Sequence, residues 1–385
     1  MLDMVSFRAG VSLALACGLS MGTAAYAQMG GAPGVPPPKP GSKSVGDDAP
    51  QKRLIKLPSW LGGPDEKRAK ELYKEGKDLY QKAEAKAKPG EVGDKELYQS
   101  AATVLYSAAR RGEDFPIEED ILFLLGESLF FSDQYPAANE TFSKLLKKFS
   151  NSRYLQQVVS RQFLIARYWE KSSEISSHSI VNPNFTDHTR PKYNETGNSL
   201  AIYNSIQQND PTGQLTPSAI MAAANHHFLK GDYDEASYLY GRLRKEHPRS
   251  EHVSQAHLLG IQSDLRRYQG PYYDPAPLKE VSKLTQTSLV QFPQELDEER
   301  ENILLTQEAV RAQMAQRDFE MGEYYYRGKY YRAARFYYDM VLNEYPDTEF
   351  GKFARERLEE TKDYPDQPPQ HAEWLTRMFS RRKAR

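Results

Sequence analysis

Residues 315–348 read AQRDFEMGEYYYRGKYYRAARFYYDMVLNEYPDT. Beyond the turn at Gly328-Lys329, Tyr331, Ala334, Tyr338 and Val341 follow at intervals of three and four, which sets them on one helix face. Pro346 closes the segment. The same spacing recurs at Tyr98-Ala101-Leu105-Ala108, at Tyr135-Ala138-Phe142-Leu145 and at Tyr233-Ala236-Tyr240-Leu243-Pro248. The chain therefore spells out one helical hairpin several times. Each copy places small residues where its two helices must touch.

Counted from Ala315, Gly322 stands at position eight, Tyr331 at 17, Ala334 at 20, Tyr338 at 24 and Pro346 at 32. This frame resembles the tetratricopeptide repeat. Further copies start near residues 69, 119, 153, 217 and 251, with Gly76, Gly126, Ser160 and Ala224 as small residues at position eight. The resemblance implies an all-α, right-handed superhelical solenoid of about five to six repeats over residues 65–364. The steps 119 to 153 and 217 to 251 are each 34, whereas the others are 50, 64 and 64, so insertions are expected. One falls near Lys88-Pro89-Gly90 and a polar one at 171–195. The last, 270–300, is read as a Gly270–Pro275 turn, followed by an extended helix from about Glu295 into repeat six. A final helix, about Thr348 to Lys362, is expected to cap the array.

The two ends read differently. Residues 1–27 have the form of a signal peptide: Arg8, an apolar run from Ala9 to Met21, and Ala25-Tyr26-Ala27 as a cleavage site. Leu13-Ala14-Leu15-Ala16-Cys17 also fits a lipobox loosely, which makes Cys17 a candidate lipidation site, and both readings stay open. Residues 28–64 are rich in Gly and Pro and read as a flexible tether. Within it, Leu54–Leu61 is either a lead-in to the first helix or a docking segment. Residues 365–385 form a basic tail in which Trp374, Leu375, Met378 and Phe379 share one face. That face would fold back on the solenoid, dock a partner or contact anionic lipid headgroups.

Composition removes several functions. Lys and Arg number 51 against 52 Asp and Glu, so there is no general basic surface for nucleic acid. One cysteine and dispersed histidines leave no metal pattern, and no Gly-rich phosphate loop occurs. No catalytic residue, metal or cofactor is therefore expected. Glu118-Glu119-Asp120 and Asp297-Glu298-Glu299 read as solvated first turns that complement helix dipoles. Tyr324-Tyr325-Tyr326 and Tyr330-Tyr331 read as core and inter-repeat packing.

Positions 5, 9 and 12 of each first helix should face a binding groove. They are Tyr73, Lys77 and Tyr80 in repeat one, and Phe123, Glu127 and Phe130 in repeat two. Repeat four contributes Met221, Asn225 and Phe228, and repeat six Phe319, Glu323 and Tyr326. The signal-like start, the repeats and the run Arg317–Phe336 with Tyr345-Pro346-Asp347-Thr348 resemble the BamD-like proteins of outer-membrane β-barrel assembly. So does Tyr233–Ala236 with His247–Ser250. The resemblance implies a non-catalytic periplasmic scaffold at the inner face of the outer membrane. Its early repeats would engage unfolded barrel substrates, and its last repeat and beyond an outer-membrane β-barrel assembly protein. A different periplasmic adaptor, in envelope division, secretion or cell-wall coordination, is the alternative.

Overall fold

The computed structural model describes residues 63–87, 93–175, 178–179 and 182–368. Thirteen helices form among them. The first hairpin pairs α1 (Glu66–Ala85) with α2 (Lys95–Arg111), and the second α3 (Glu118–Phe131) with α4 (Tyr135–Lys148). The third joins α5 (Leu155–Ile175) to α6 (Glu195–Asn209), and the fourth α7 (Thr216–Lys230) to α8 (Tyr233–Glu246). The fifth is α9 (Val253–Arg267) with α10 (Ala276–Gln291), and the sixth α11 (Arg300–Arg327) with α12 (Tyr331–Glu344). A lone helix, α13 (Glu349–Thr361), ends the array.

Local chemistry sets these boundaries. Asp65 and Asp94 accept the backbone N–H groups of Arg68 and Leu97, both at 3.1 Å, and so cap α1 and α2. Thr348 accepts the Gly351 N–H at 3.1 Å and caps α13. At the other end of α7, Gly231 takes a φ of 81° and turns the chain tightly into α8.

Within a hairpin the two helices close on glycine. A Cβ on Gly322 would lie 2.5 Å from Tyr338 Cε1, and one on Gly76 would lie 2.6 Å from Leu105 Cγ. On Gly126 it would meet the Phe142 ring, 2.6 Å from Cδ1. Position eight is thus small because the side chain at position 24 lies directly against it. In repeat five the close approach moves: Gly260 leaves room for the Arg244 guanidinium, which donates to Ala256 O at 2.9 Å.

Between hairpins the period of the sequence becomes a set of physical links. Tyr154 Oη donates to Asp120 at 2.7 Å, Arg161 Nε to Glu127 at 2.9 Å, Arg357 Nε to Glu323 at 2.8 Å and Tyr326 Oη to Glu360 at 2.6 Å. Ser218 Oγ lies 2.9 Å from His252 Nε2. Each pair is 34 residues apart, so corresponding points on neighbouring first helices face one another and those helices run parallel. The start at Ala315 plus one period is Glu349, so α13 is the first helix of a seventh unit. Of this unit only the first helix lies among the described residues.

Three apolar clusters result. A continuous one runs from Ala69 in α1 to Ala256 in α9. Ala315, Ala334, Tyr338, Val341, Tyr345 and Ala354 form the terminal one. Between them sits a small cluster of Ile261, Leu278, Val281, Leu284 and Val310, and Met314 packs against both it and the terminal cluster.

Several sequence expectations need correction. The 270–300 insertion is mostly α10, the ordinary second helix of repeat five, which hides because Thr285 and Ser288 fill positions usually held by bulky residues. The extended helix begins at Arg300 rather than Glu295, since residues 293–299 turn first. The first-turn acids of α3 are not solvated. Glu118 is fully buried and takes Lys148 Nζ at 2.6 Å, while Glu119 accepts Ser152 Oγ at 2.7 Å. Tyr324 and Tyr330 are exposed rather than packed, because repeat five ends short of them.

The polar insertion after α5 is held by its own hydrogen bonds. Asn184 Nδ2 donates to Asp187 O at 2.6 Å, and its Oδ1 accepts the Asp187 N–H at 2.9 Å. Trp169 Nε1 donates to Thr189 O at 2.8 Å and ties the loop to α5. Buried Glu195 accepts from Arg190 Nη2 at 2.9 Å and from the His178 N–H at 3.0 Å. The signal-like segment, Cys17, most of the tether and the docking face of the tail (Trp374, Leu375, Met378, Phe379) lie outside the described residues.

Candidate functional site

The first helices of repeats one to three, α1, α3 and α5, stand side by side and present an aromatic face. Phe123 and Tyr154 stack with ring centres 3.9 Å apart and planes 2° from parallel. Arg153 lies 5.0 Å over the Tyr154 ring and also pairs with Asp120. Tyr73 lies within the field of this guanidinium; burial raises its pKa and Arg153 opposes the rise. Farther along the same face, Tyr80 meets Tyr98 edge-on at 5.2 Å, and Tyr98 stacks on Phe131 at 5.2 Å. Burial, with the Glu84 and Glu127 charges behind it, pushes the Tyr98 hydroxyl up to about 12. Tyr98, on α2, is buried beneath this face, and its phenol stays neutral at any physiological pH.

Arg161 joins the two ends of this face. Its guanidinium pairs with both Glu127 oxygens, at 2.9 and 3.0 Å, and lies 4.9 Å from the Phe130 ring centre and 4.8 Å from that of Phe131. Burial works against its charge, but the Glu127 hydrogen bonds and charge outweigh this and raise its pKa. Tyr73, Tyr80, Phe123, Glu127 and Phe130 are thus brought together, joined by Arg153, Tyr154 and Arg161 of repeat three. Lys77 is exposed on α1.

Two of these residues do not stand open as a groove reading requires. Glu127 is 6% exposed and Phe130 5%, because Arg161 from the next repeat covers them. Repeat four departs further. Met221 is buried, Asn225 Oδ1 accepts the Tyr240 hydroxyl at 2.7 Å, and Phe228 lies under Arg266 at 4.7 Å.

Repeat six repeats the arrangement of repeat two. Glu323 accepts both Arg357 and the Tyr338 hydroxyl (2.7 Å), and Arg357 lies 4.7 Å over Tyr326. The hydrogen bond to Glu360 comes first in holding the Tyr326 phenol up at about 12. Phe319 packs on Tyr338 at 5.5 Å and Phe350 at 5.8 Å. Helix α13 therefore fills this stretch. Arg153, Tyr154 and Arg161 escaped the sequence reading. A signal was present, since Asp120 and Tyr154, like Glu127 and Arg161, are complementary partners 34 residues apart.

Among the described residues no three His, Cys, Asp or Glu side chains gather as metal ligands, and no helix is long and apolar enough to cross a membrane. The face offers rings, paired cations and neutral hydroxyls, a surface suited to holding another polypeptide.

Residues 193–364, from the end of the polar insertion through α13, match the family YfiO, described as outer membrane lipoprotein. Residues 120–152 match a tetratricopeptide repeat family. Over these stretches the chain is similar to the BamD-like tetratricopeptide-repeat proteins. No curated protein matches the chain. Among solved structures it is similar to a tetratricopeptide repeat protein from Parabacteroides merdae ATCC 43184, determined at 2.39 Å resolution. The two are 13% identical over 77% of this chain and 100% of the other, with a TM-score of 0.30.

Proposed function

We propose that this chain is a non-catalytic scaffold of the bacterial envelope that helps assemble and insert β-barrel proteins into the outer membrane. The observation that carries the reading is the match of residues 193–364 to an outer membrane lipoprotein family. In this reading the face built on α1, α3 and α5 receives unfolded barrel segments. Its rings would take the aromatic side chains of an extended strand, and Arg153 a nearby carboxylate. The last repeats would engage a barrel protein of the assembly machinery, and the protein would work in the periplasm against the outer membrane. The alternative, an adaptor in division, secretion or cell-wall coordination, draws on one fact: α1 to α5, which carry the aromatic face, lie outside residues 193–364.

Depletion in the native bacterium tests the reading. Loss of several unrelated β-barrel proteins from the outer membrane, with a barrel protein recovered on the tagged chain, is the expected outcome. Normal barrel levels with recovery of division or secretion proteins alone would overturn it. Labelling with a radioactive fatty acid, lost on Cys17→Ala, separates a lipoprotein from a cleaved soluble form.

A further inference from the structure

The turn between α11 and α12 projects beyond its neighbour. The repeat-five loop reaches α11 at Glu320, where Tyr272 Oη donates to the carboxylate at 2.8 Å. Helix α11 continues to Arg327, seven residues farther, which is about 10 Å of helix. On the projecting part the rings form one row. Tyr324 meets Tyr325 at 5.4 Å, Tyr325 stacks on Tyr337 at 5.5 Å with planes 12° apart, and Tyr337 meets Phe336 at 5.6 Å. The outer members are open, Tyr324 at 59% and Phe336 at 64% exposure, as is Tyr330 in the turn.

Three exposed cations stand among these rings: Arg327, Lys329 and Arg332. None has a carboxylate within ion-pair distance among the described residues. Nearby acids are engaged elsewhere: Glu320 by Tyr272, Glu323 by Arg357 and Asp366 by Arg335. Among the described residues Asp339, one turn farther along α12, and Asp363, next to Tyr364, are exposed and without a partner. The other side of the hairpin is closed by α13 and the segment after it, through Tyr326 to Glu360 and Tyr331 against Tyr364 at 4.8 Å.

We infer that this turn is a docking point for an anionic lipid surface. A projecting tip has no concavity to grip a partner's side chain. A bilayer interface needs none, and it favours tyrosine rings beside arginine and lysine. Each unpaired cation adds attraction to an anionic headgroup layer, and salt weakens it. The docked turn would orient the last repeats against the membrane. This orientation is independent of what the first repeats bind.

The test is co-sedimentation of the full chain with vesicles of phosphatidylcholine alone and of phosphatidylcholine mixed with phosphatidylglycerol. Two variants carry the argument: Arg327→Glu/Lys329→Glu/Arg332→Glu, and Tyr324→Ser/Phe336→Ser. A third replaces Arg381, Arg382, Lys383 and Arg385 by Gln, to separate the tail from the turn. Circular dichroism melting of each confirms that these exposed changes leave the fold intact. Salt-sensitive binding to the anionic vesicles is expected, falling about tenfold or more in the charge variant. The ring variant should also bind more weakly, with binding retained when only the tail is neutralised. Equal binding to both vesicle types overturns the proposal, as does binding that depends on the tail alone. Unchanged vesicle binding, with loss instead of an acidic protein partner from the tip variants, also overturns it.

Discussion

Gly322→Ala should loosen the last hairpin, although alanine is the better helix former. The new methyl would lie 2.5, 2.8 and 3.2 Å from three atoms of the Tyr338 ring. That ring is fully buried, and its hydroxyl is held by Glu323 at 2.7 Å, so it cannot swing aside without breaking the bond. Overpacking costs about 1–3 kcal/mol, and a weakened hydrogen bond to a charged group about 1–2 kcal/mol. Helix propensity returns about 1 kcal/mol. The net expectation, from those terms together, is a loss of about 1–4 kcal/mol. Gly241→Ala in α8 is the control: its methyl would meet only an Arg244 nitrogen at 3.7 Å, so propensity should win and stabilise by about 0.5–1 kcal/mol. Repeat arrays do not melt as one unit, so the readout is amide hydrogen exchange in α11 and α12 against α3 and α4. Protection should fall in the former pair only. Adding Tyr338→Leu should make the double variant at least about 1 kcal/mol more stable than the sum of the singles. If Gly322→Ala raises protection as Gly241→Ala does, the close-approach account of position eight is wrong.

Three further outcomes are expected. In a double-mutant cycle on Glu323→Gln and Arg357→Met, the half-buried rung should show a coupling of about 1–2 kcal/mol, measured as the shift in the α13 unfolding transition. Near-zero coupling would make the rung ornamental. His257 is buried against Ser288 and the Phe292 ring, and burial, then the Arg244 charge, lowers its pKa from 6.5 to about 4. The unfolded chain therefore binds the extra proton first. Stability at repeat five should fall as pH drops from about 6.5 towards 4 and stay flat above 7, and His257→Asn should flatten the slope in pH-dependent melting. Arg153→Ala should weaken binding of a fluorescent aromatic peptide with a free carboxyl end about tenfold, while Arg266→Ala in repeat four should not. Equal effects would remove the proposed face.

The hairpins were legible because close packing admits few solutions. Gly76, Gly126 and Gly322 must be small, and the residues at position 24 must press on them, so the period shows through divergence elsewhere. Helix α10 was not legible, since Thr285 and Ser288 occupy its aromatic and aliphatic positions and bury hydroxyls instead. For the proposed face, the sequence placed the side chains but not their burial. Position alone told which way Glu127, Phe130, Glu323 and Tyr326 face, but not that an arginine one repeat later covers each pair. Reading charges 34 residues apart, rather than within one repeat, would have exposed it.

The division of the apolar core also imposes an order in time. The buried members of the large cluster are all present once Ala256 has been synthesised, and Leu259 and Phe292 pack against them afterwards. The terminal cluster needs residues as late as Ala354, and it connects backward through Met314 and a cluster of five buried side chains. A chain emerging N-terminus first can therefore consolidate its early repeats before the late ones exist. The late hairpin is therefore the last part of the array to close its buried cluster.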